Sequence, residues 1–251
     1  FFAMSCATTI YTNLDSVMLG FMATNADVGY YGAAVKIKNI LVSIVTSLGT
    51  VLLPRAAYYI EHQQMDEFKK LSRKALNFVF LVASPMMIYF MLFAKQGIYF
   101  LSGDAFGPAV VPMQLIMPTL LLIGITNILG IQILVPLGYE KAVLVSEIVG
   151  AIIDLVVNAL LIPHYQSSGA AIGTLLAEFA VMVVQCIALK NEIKSAFSDI
   201  KYLKIILAIV LASLASCWVT VLNLHVFITL VISAILFFGV YGVVLIIMKE
   251  K

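Results

Sequence analysis

The sequence predicts an all-α, polytopic membrane helix bundle, and three observations lead there. Of 251 residues, 63% are hydrophobic and 11% charged, against about a quarter charged in soluble chains. The mean hydropathy is +1.08. The apolar residues also gather into runs of about 20, the length of helix that crosses a bilayer core.

About eight such runs can be marked in order: Phe1 to Ala23, Ala34 to Pro54, Ala75 to Ala94, Val110 to Val135, Ala142 to Ile162, Ala170 to Leu189, Leu203 to Leu222 and Val226 to Met248. Pro85 and Pro118 fall inside the third and fourth, where the missing N–H and the ring should kink the helix. The fourth is expected to break. Between the fifth and sixth, Pro163 to Ser168 is a short break. Residues 56–74 are polar but keep Met65, Phe68 and Leu71 near helical spacing, which predicts an amphipathic helix lying on the cytoplasmic leaflet. The chain opens at Phe1 inside an apolar run with no basic segment before it, so it reads as the C-terminal part of a longer protein.

The basic residues set an orientation. Arg55, Lys69, Lys70, Arg73, Lys74, Lys141, Lys190, Lys194, Lys201, Lys204, Lys249 and Lys251 lie between even and odd spans or in the tail, leaving Lys36, Lys38 and Lys95 for the other face. By the positive-inside rule the C-terminus is cytoplasmic, in a multi-pass protein of the cell membrane. A net charge of +2 excludes nucleic acid as a partner and leaves membrane lipids. Cys6, Cys186 and Cys217 sit in apolar segments without CxxC spacing, which suits buried thiols. No phosphate-loop, HExxH or GxSxG motif occurs, so no catalytic residue, metal site or cofactor is expected.

Function is expected where polar groups interrupt apolar helices. Glu147 and Asp154 are seven apart and Asn158 follows four later, one stripe on one helix. Glu178 and Gln185 repeat the seven-residue interval on the next. Thr8, Tyr11, Thr12 and Asp15 form a third stripe in the first span. A carboxylate at the centre of a bilayer costs several kcal/mol, so these stripes should face protein or a wet cavity. Each acid taken singly suits an interhelical hydrogen bond; stripes on three helices point to a shared polar cavity. Lys36 and Lys38 either snorkel to headgroups or face that cavity. Gly169 and Gly173 form GxxxG, the mark of a close helix crossing. The last two spans carry no charge and read as a lipid-facing accessory pair.

The segments YTNLDSVMLGFMATNADVGYYGAAVKI, LGTVLLPRAA, GIQILVPLGYEKA and NALLIPHYQSSGAAIGTLLAE resemble the C-terminal half of polysaccharide-type flippases of the multidrug/oligosaccharidyl-lipid/polysaccharide exporter superfamily. The resemblance implies a six-helix lobe over residues 1–190, an accessory pair over 191–251, and a partner N-terminal lobe missing from this chain. It implies a polyprenyl-diphosphate-linked oligosaccharide as substrate, moved from inner to outer leaflet by alternating access. Lys36, Lys38 and Arg55 would then bind the diphosphate. Asp15, Glu147, Asp154, Asn158 and Glu178 would line the cavity and couple H⁺ or Na⁺. An ion-coupled multidrug or cation antiporter of the same superfamily stays open, as does, more remotely, a membrane glycosyltransferase or polymerase.

Overall fold

The computed structural model describes residues 13–189, 202–222 and 224–248. Cys6, Thr8, Tyr11, Thr12, Lys190, Lys194, Lys201, Lys249 and Lys251, named above, lie outside them. Among the described residues every regular element is helical. In order they are α1 (13–22), α2 (Asn25–Glu61), α3 (Met65–Leu92), α4 (Ala94–Ser102), a 3₁₀ turn (Asp104–Ala109), α5 (Val110–Ile116), α6 (Thr119–Asn127) running into a π-helical stretch (Ile128–Leu134), α7 (Glu140–Leu189), α8 (Tyr202–Cys217), a second 3₁₀ turn (Trp218–Leu222) and α9 (Val226–Ile247).

Five of these helical stretches are long and apolar enough to span a bilayer, and the bent pair around Pro118 is a sixth. α7 contains two spans. Its backbone breaks at Gln166, φ 45° and ψ −125°, inside the expected Pro163 to Ser168 interval. The two arms then fold back on each other: Gln185 Nε2 donates to Ser146 Oγ at 3.3 Å, and Gly150 packs under Val181. Glycine permits the approach. A Cβ on Gly169 would come within 2.6 Å of the Leu161 carbonyl oxygen, and one on Gly173 would overlap Asn158 Oδ1. The GxxxG spacing is thus a close crossing, as small residues in membrane helices usually are.

The fourth span bends by 43° between Ile116 and Thr119, where Pro118 removes an N–H from the ladder. Pro85 acts differently, since α3 runs through it. A proline leaves the carbonyl four residues earlier without its helical donor, here Leu81. Tyr241 of α9 supplies one, its hydroxyl donating to Leu81 O at 2.9 Å.

One element departs from expectation. Residues 56–74 are not a separate surface helix: α2 continues to Glu61 and α3 has begun by Met65. The buried stripe explains this, because Phe68, Ser72, Ala75, Leu76 and Val79 keep one face at 3.6-residue spacing from the polar start of α3 into its apolar part. α4 was not foreseen either; its short apolar face, Ala94, Gly97 and Ile98, is buried.

α2, α3, α5, α6 and α7 pack into one body, with a core that includes Leu76, Met113, Leu120 and Leu129. α8 and α9 pair with each other and dock on α3 and α4 through a smaller core of Tyr89, Phe93, Ala208, Ala212, Phe237 and Tyr241.

Candidate functional site: a buried acidic cluster

The helical periods that place the stripes bring three elements together. On the first arm of α7, Ser146, Gly150, Asp154 and Asn158 face inward, while Ile152, Leu155 and Val156 are exposed, as a helix with one lipid-facing side requires. On the second arm Thr174, Glu178 and Gln185 face inward. Because the arms are antiparallel, Asn158 meets the Gly173–Thr174 level and Ser146 meets Gln185.

Asp15 of α1 closes the upper level. Its carboxylate accepts from Asn158 Nδ2 at 2.6 Å and from the Tyr31 hydroxyl of α2. Thr174 Oγ1 lies 3.0 Å from Asp15 Oδ2, 3.0 Å from Ala170 O and 2.8 Å from Tyr31 Oη, so its single proton can serve one of the three. Charge-assisted bonds of this kind are about twice as strong as neutral ones. Asp154, adjacent and electrostatically coupled to Asp15, is different. It is fully buried, and neither carboxyl oxygen has a hydrogen-bond partner of good geometry; Asn158 Oδ1 has none either. Three buried acceptor oxygens, two of Asp154 and one of Asn158, thus lack a well-aligned donor.

Oxygen-only donors suit a proton or a hard cation such as Na⁺ rather than a transition metal. Among the described residues no trio of His, Cys, Asp and Glu is placed to hold a metal ion. The acceptors at the cluster fit a small cation: two carboxylates, an amide oxygen and hydroxyls, all buried.

A cavity of about 290 Å³ lies below this level, lined by Lys38, Asn39, Thr126, Asn127, Glu147, Glu178 and Gln185 among others. Glu147 and Glu178 thus face the cavity, two turns and one turn along their arms from Asp154 and Thr174. The basic residues separate. Lys36 and Lys38, two positions apart on a helix, point about 200° from each other. Lys36 is exposed and lines a different cavity of about 570 Å³ with Gly29, Gly32, Leu101, Ser102 and Phe106. Arg55 is exposed at the far end of α2, donating to Tyr59 Oη at 3.0 Å with its guanidinium over that ring. It stands about 36 Å along the axis from Tyr31 at 1.5 Å per residue.

Sequence reasoning missed Tyr31 and Thr174. Thr174 was findable, lying four residues before Glu178 on the same stripe. Tyr31, one of two adjacent tyrosines, carried no such signal.

Discontinuous helices around buried charge are an architecture that membrane transporters use, and several known proteins resemble this chain. Residues 1–111 match the family described as "Polysaccharide biosynthesis protein". The chain is 24% identical over 191 residues to a protein of Escherichia coli (strain K12) assigned as an O-antigen transporter, covering 76% of this chain and 46% of that one. It is 22% identical over 176 residues to a protein of Haloferax volcanii assigned as the flippase AglR, covering 66% and 35%. The structure of the lipid II flippase MurJ in an inward closed conformation superposes with a TM-score of 0.77 at 14% identity, over 98% of this chain and 53% of that one. The chain is similar to this group of polysaccharide-biosynthesis, O-antigen-transporter and flippase proteins, and it shares the fold of the flippase structure. It spans about half the length of the curated relatives it matches.

Proposed function

We propose that this chain is one lobe of a flippase that carries a lipid-linked oligosaccharide across the cell membrane, with the acidic cluster as its ion-coupling site. The carrying observation is Asp154: a fully buried carboxyl whose oxygens have no hydrogen-bond partner of good geometry, beside a second carboxylate, in a fold shared with a lipid II flippase. An unpaired buried carboxylate is too costly to persist without a proton or cation. Binding and release of that ion would bias the packing of α1 and α2 against the α7 hairpin, which is the movement alternating access requires.

The substrate's diphosphate needs cations in a wet setting. Lys36 and Arg55, both exposed, are the candidates at the surface; about 28 Å of α2 separates them at 1.5 Å per residue. One diphosphate cannot touch both at once, so in this reading they serve opposite ends of the path. The sugar would cross between this lobe and a second one, its lipid in the bilayer. A multidrug antiporter is disfavoured because the cluster is closed to anything larger than a small ion, Asp15, Asp154 and Asn158 being 3% exposed or less.

The test is complementation. In a strain lacking the full-length gene, lipid-linked oligosaccharide should accumulate on the inner leaflet and surface polysaccharide should disappear; the parent gene should restore it and Asp154→Asn, expressed equally, should not. Accumulation of no such intermediate would overturn the flippase reading. Normal export by Asp154→Asn with unchanged Na⁺ and pH dependence would make the cluster structural. Labelling of cysteines placed at Ser102 and Ser195, outside and inside respectively, checks the cytoplasmic C-terminus.

A further inference from the structure

We propose that Lys38 is a tethered counter-cation for the buried acids: its ammonium neutralises them when no ion is bound and competes with the coupling ion for them. This rests on the ion-coupling reading of the cluster and adds its regulation.

Four observations carry it. First, Lys38 is the single Lys or Arg among the residues lining the cavity below the cluster, where the other polar groups are acids, amides and a hydroxyl. An anionic substrate would meet Glu147 and Glu178 there. Second, burial weighs most on the Lys38 charge, and Glu178 and, more weakly, Asp15 act against that burden. Third, side chains on a helix tilt toward its N-terminus, so the Lys38 chain heads back along α2 toward Tyr31 and Asp15. Glu178 leans back toward Thr174 in the same way. The two therefore converge on the cluster from below.

Fourth, the space between is built to be wet. The cavity holds about 290 Å³, room for roughly ten waters at ~30 Å³ each. Gln185 Oε1 and Asn127 Oδ1, both on its lining, are buried without partners, and water is the partner that a polar cavity of this size supplies. Lysine's four-carbon stem then lets a charged head move between Glu178 and the cluster without leaving hydration. Asp15, Asp154 and Glu178 together would otherwise place up to three negative charges in a low-dielectric interior. One fixed cation lowers that cost and leaves the site able to exchange a second one.

The experiment measures ion binding apart from transport. Purified full-length protein is titrated with NaCl at constant ionic strength, choline replacing Na⁺, and the thermal unfolding midpoint is followed for the parent, Lys38→Gln, Lys38→Met, Lys38→Arg and Asp154→Asn. With the competing charge gone, Lys38→Gln should reach half-saturation at about tenfold lower Na⁺, and Lys38→Met, which keeps bulk without polarity, should agree if the Gln variant does not fold. Lys38→Arg should stay within about threefold of the parent. Asp154→Asn should lose the Na⁺ response. If Lys38→Gln and Lys38→Met bind Na⁺ as the parent does, or more weakly, while Asp154→Asn is unresponsive, the counter-cation role is overturned and the coupling site stands. A parent with no Na⁺ response, whose unfolding midpoint also varies with pH as that of Asp154→Asn does, overturns both. Loss of stabilisation by a soluble prenyl-diphosphate analogue in Lys38→Gln, at unchanged Na⁺ midpoint, makes Lys38 a substrate ligand and likewise overturns the proposal.

Discussion

The α7 hairpin and the α8–α9 pair are two helix pairs in the same oily environment, held by opposite means. In lipid there is little hydrophobic drive between helices, so packing and hydrogen bonds decide association. The hairpin uses small residues, Gly150, Gly169 and Gly173, to bring backbones close, and it leaves buried oxygens of Asp154, Asn158 and Gln185 unpaired. The α8–α9 pair uses aromatics, with Phe237 fully buried, and no buried polar side-chain atom of α8 or α9 lacks a partner among the described residues. Tyr89 reaches Leu230 O at 2.9 Å and Ser233 Oγ at 3.0 Å. Buried polar atoms without well-aligned partners in one pair, and none among the described residues of the other, mark the structural difference between them.

That contrast can be broken most forcefully at Gly173. Gly173→Val would drive a branched side chain into Asn158 Oδ1. Overpacking of this kind costs about 3 kcal/mol, and spreading the arms should also abolish any Na⁺-dependent stabilisation. Thermal unfolding in detergent with and without NaCl measures both; a variant with parental values would mean that the hairpin is not tightly crossed.

A smaller effect is expected on the other side. Tyr241→Phe removes the hydroxyl that satisfies the Leu81 carbonyl, with a loss of about 1 kcal/mol. Hydrogen exchange should rise in α9 and around Leu81 while the Na⁺ response of the lobe is untouched. Faster exchange in the α7 arms instead would join two regions that the comparison separates.

The smallest change sits at the hairpin's turn. Gln166 has φ 45°, a backbone region where a side chain is strained and glycine is not. Gln166→Gly should raise stability by about 0.5–1 kcal/mol, read as a shift of the unfolding midpoint. A clear loss would show that the Gln166 side chain itself holds the turn.

Much of the acidic cluster was legible beforehand. Intervals of seven and four fixed Glu147, Asp154 and Asn158 to one stripe, and in a membrane helix a stripe of acids has few places to point. The break near Pro163 was legible because proline, serines and glycine lay together. Over 56–74 local polarity suggests a separate surface helix, whereas Phe68, Ala75 and Leu76 carry a buried face across that boundary. Helices longer than the hydrocarbon core hide their ends in this way: α2, with 37 residues, is about 55 Å long at 1.5 Å per residue against a core of about 30 Å.

Helical period and hydropathy, both local properties, are enough to read off the membrane bundle, its breaks at Pro118 and within Pro163 to Ser168, and the inward stripe on each helix. Which stripes meet depends on contacts between residues far apart in the chain, and only the packed structure decides those. Asp15 finds Asn158 and Thr174 across more than 140 residues, and Tyr31 joins them with no pattern to announce it. Leu81 is freed locally by Pro85, yet the donor that answers it, Tyr241, lies 160 residues on. The same packing sends Lys36 and Lys38 into different cavities, Lys38 into the one that Glu147 and Glu178 also line.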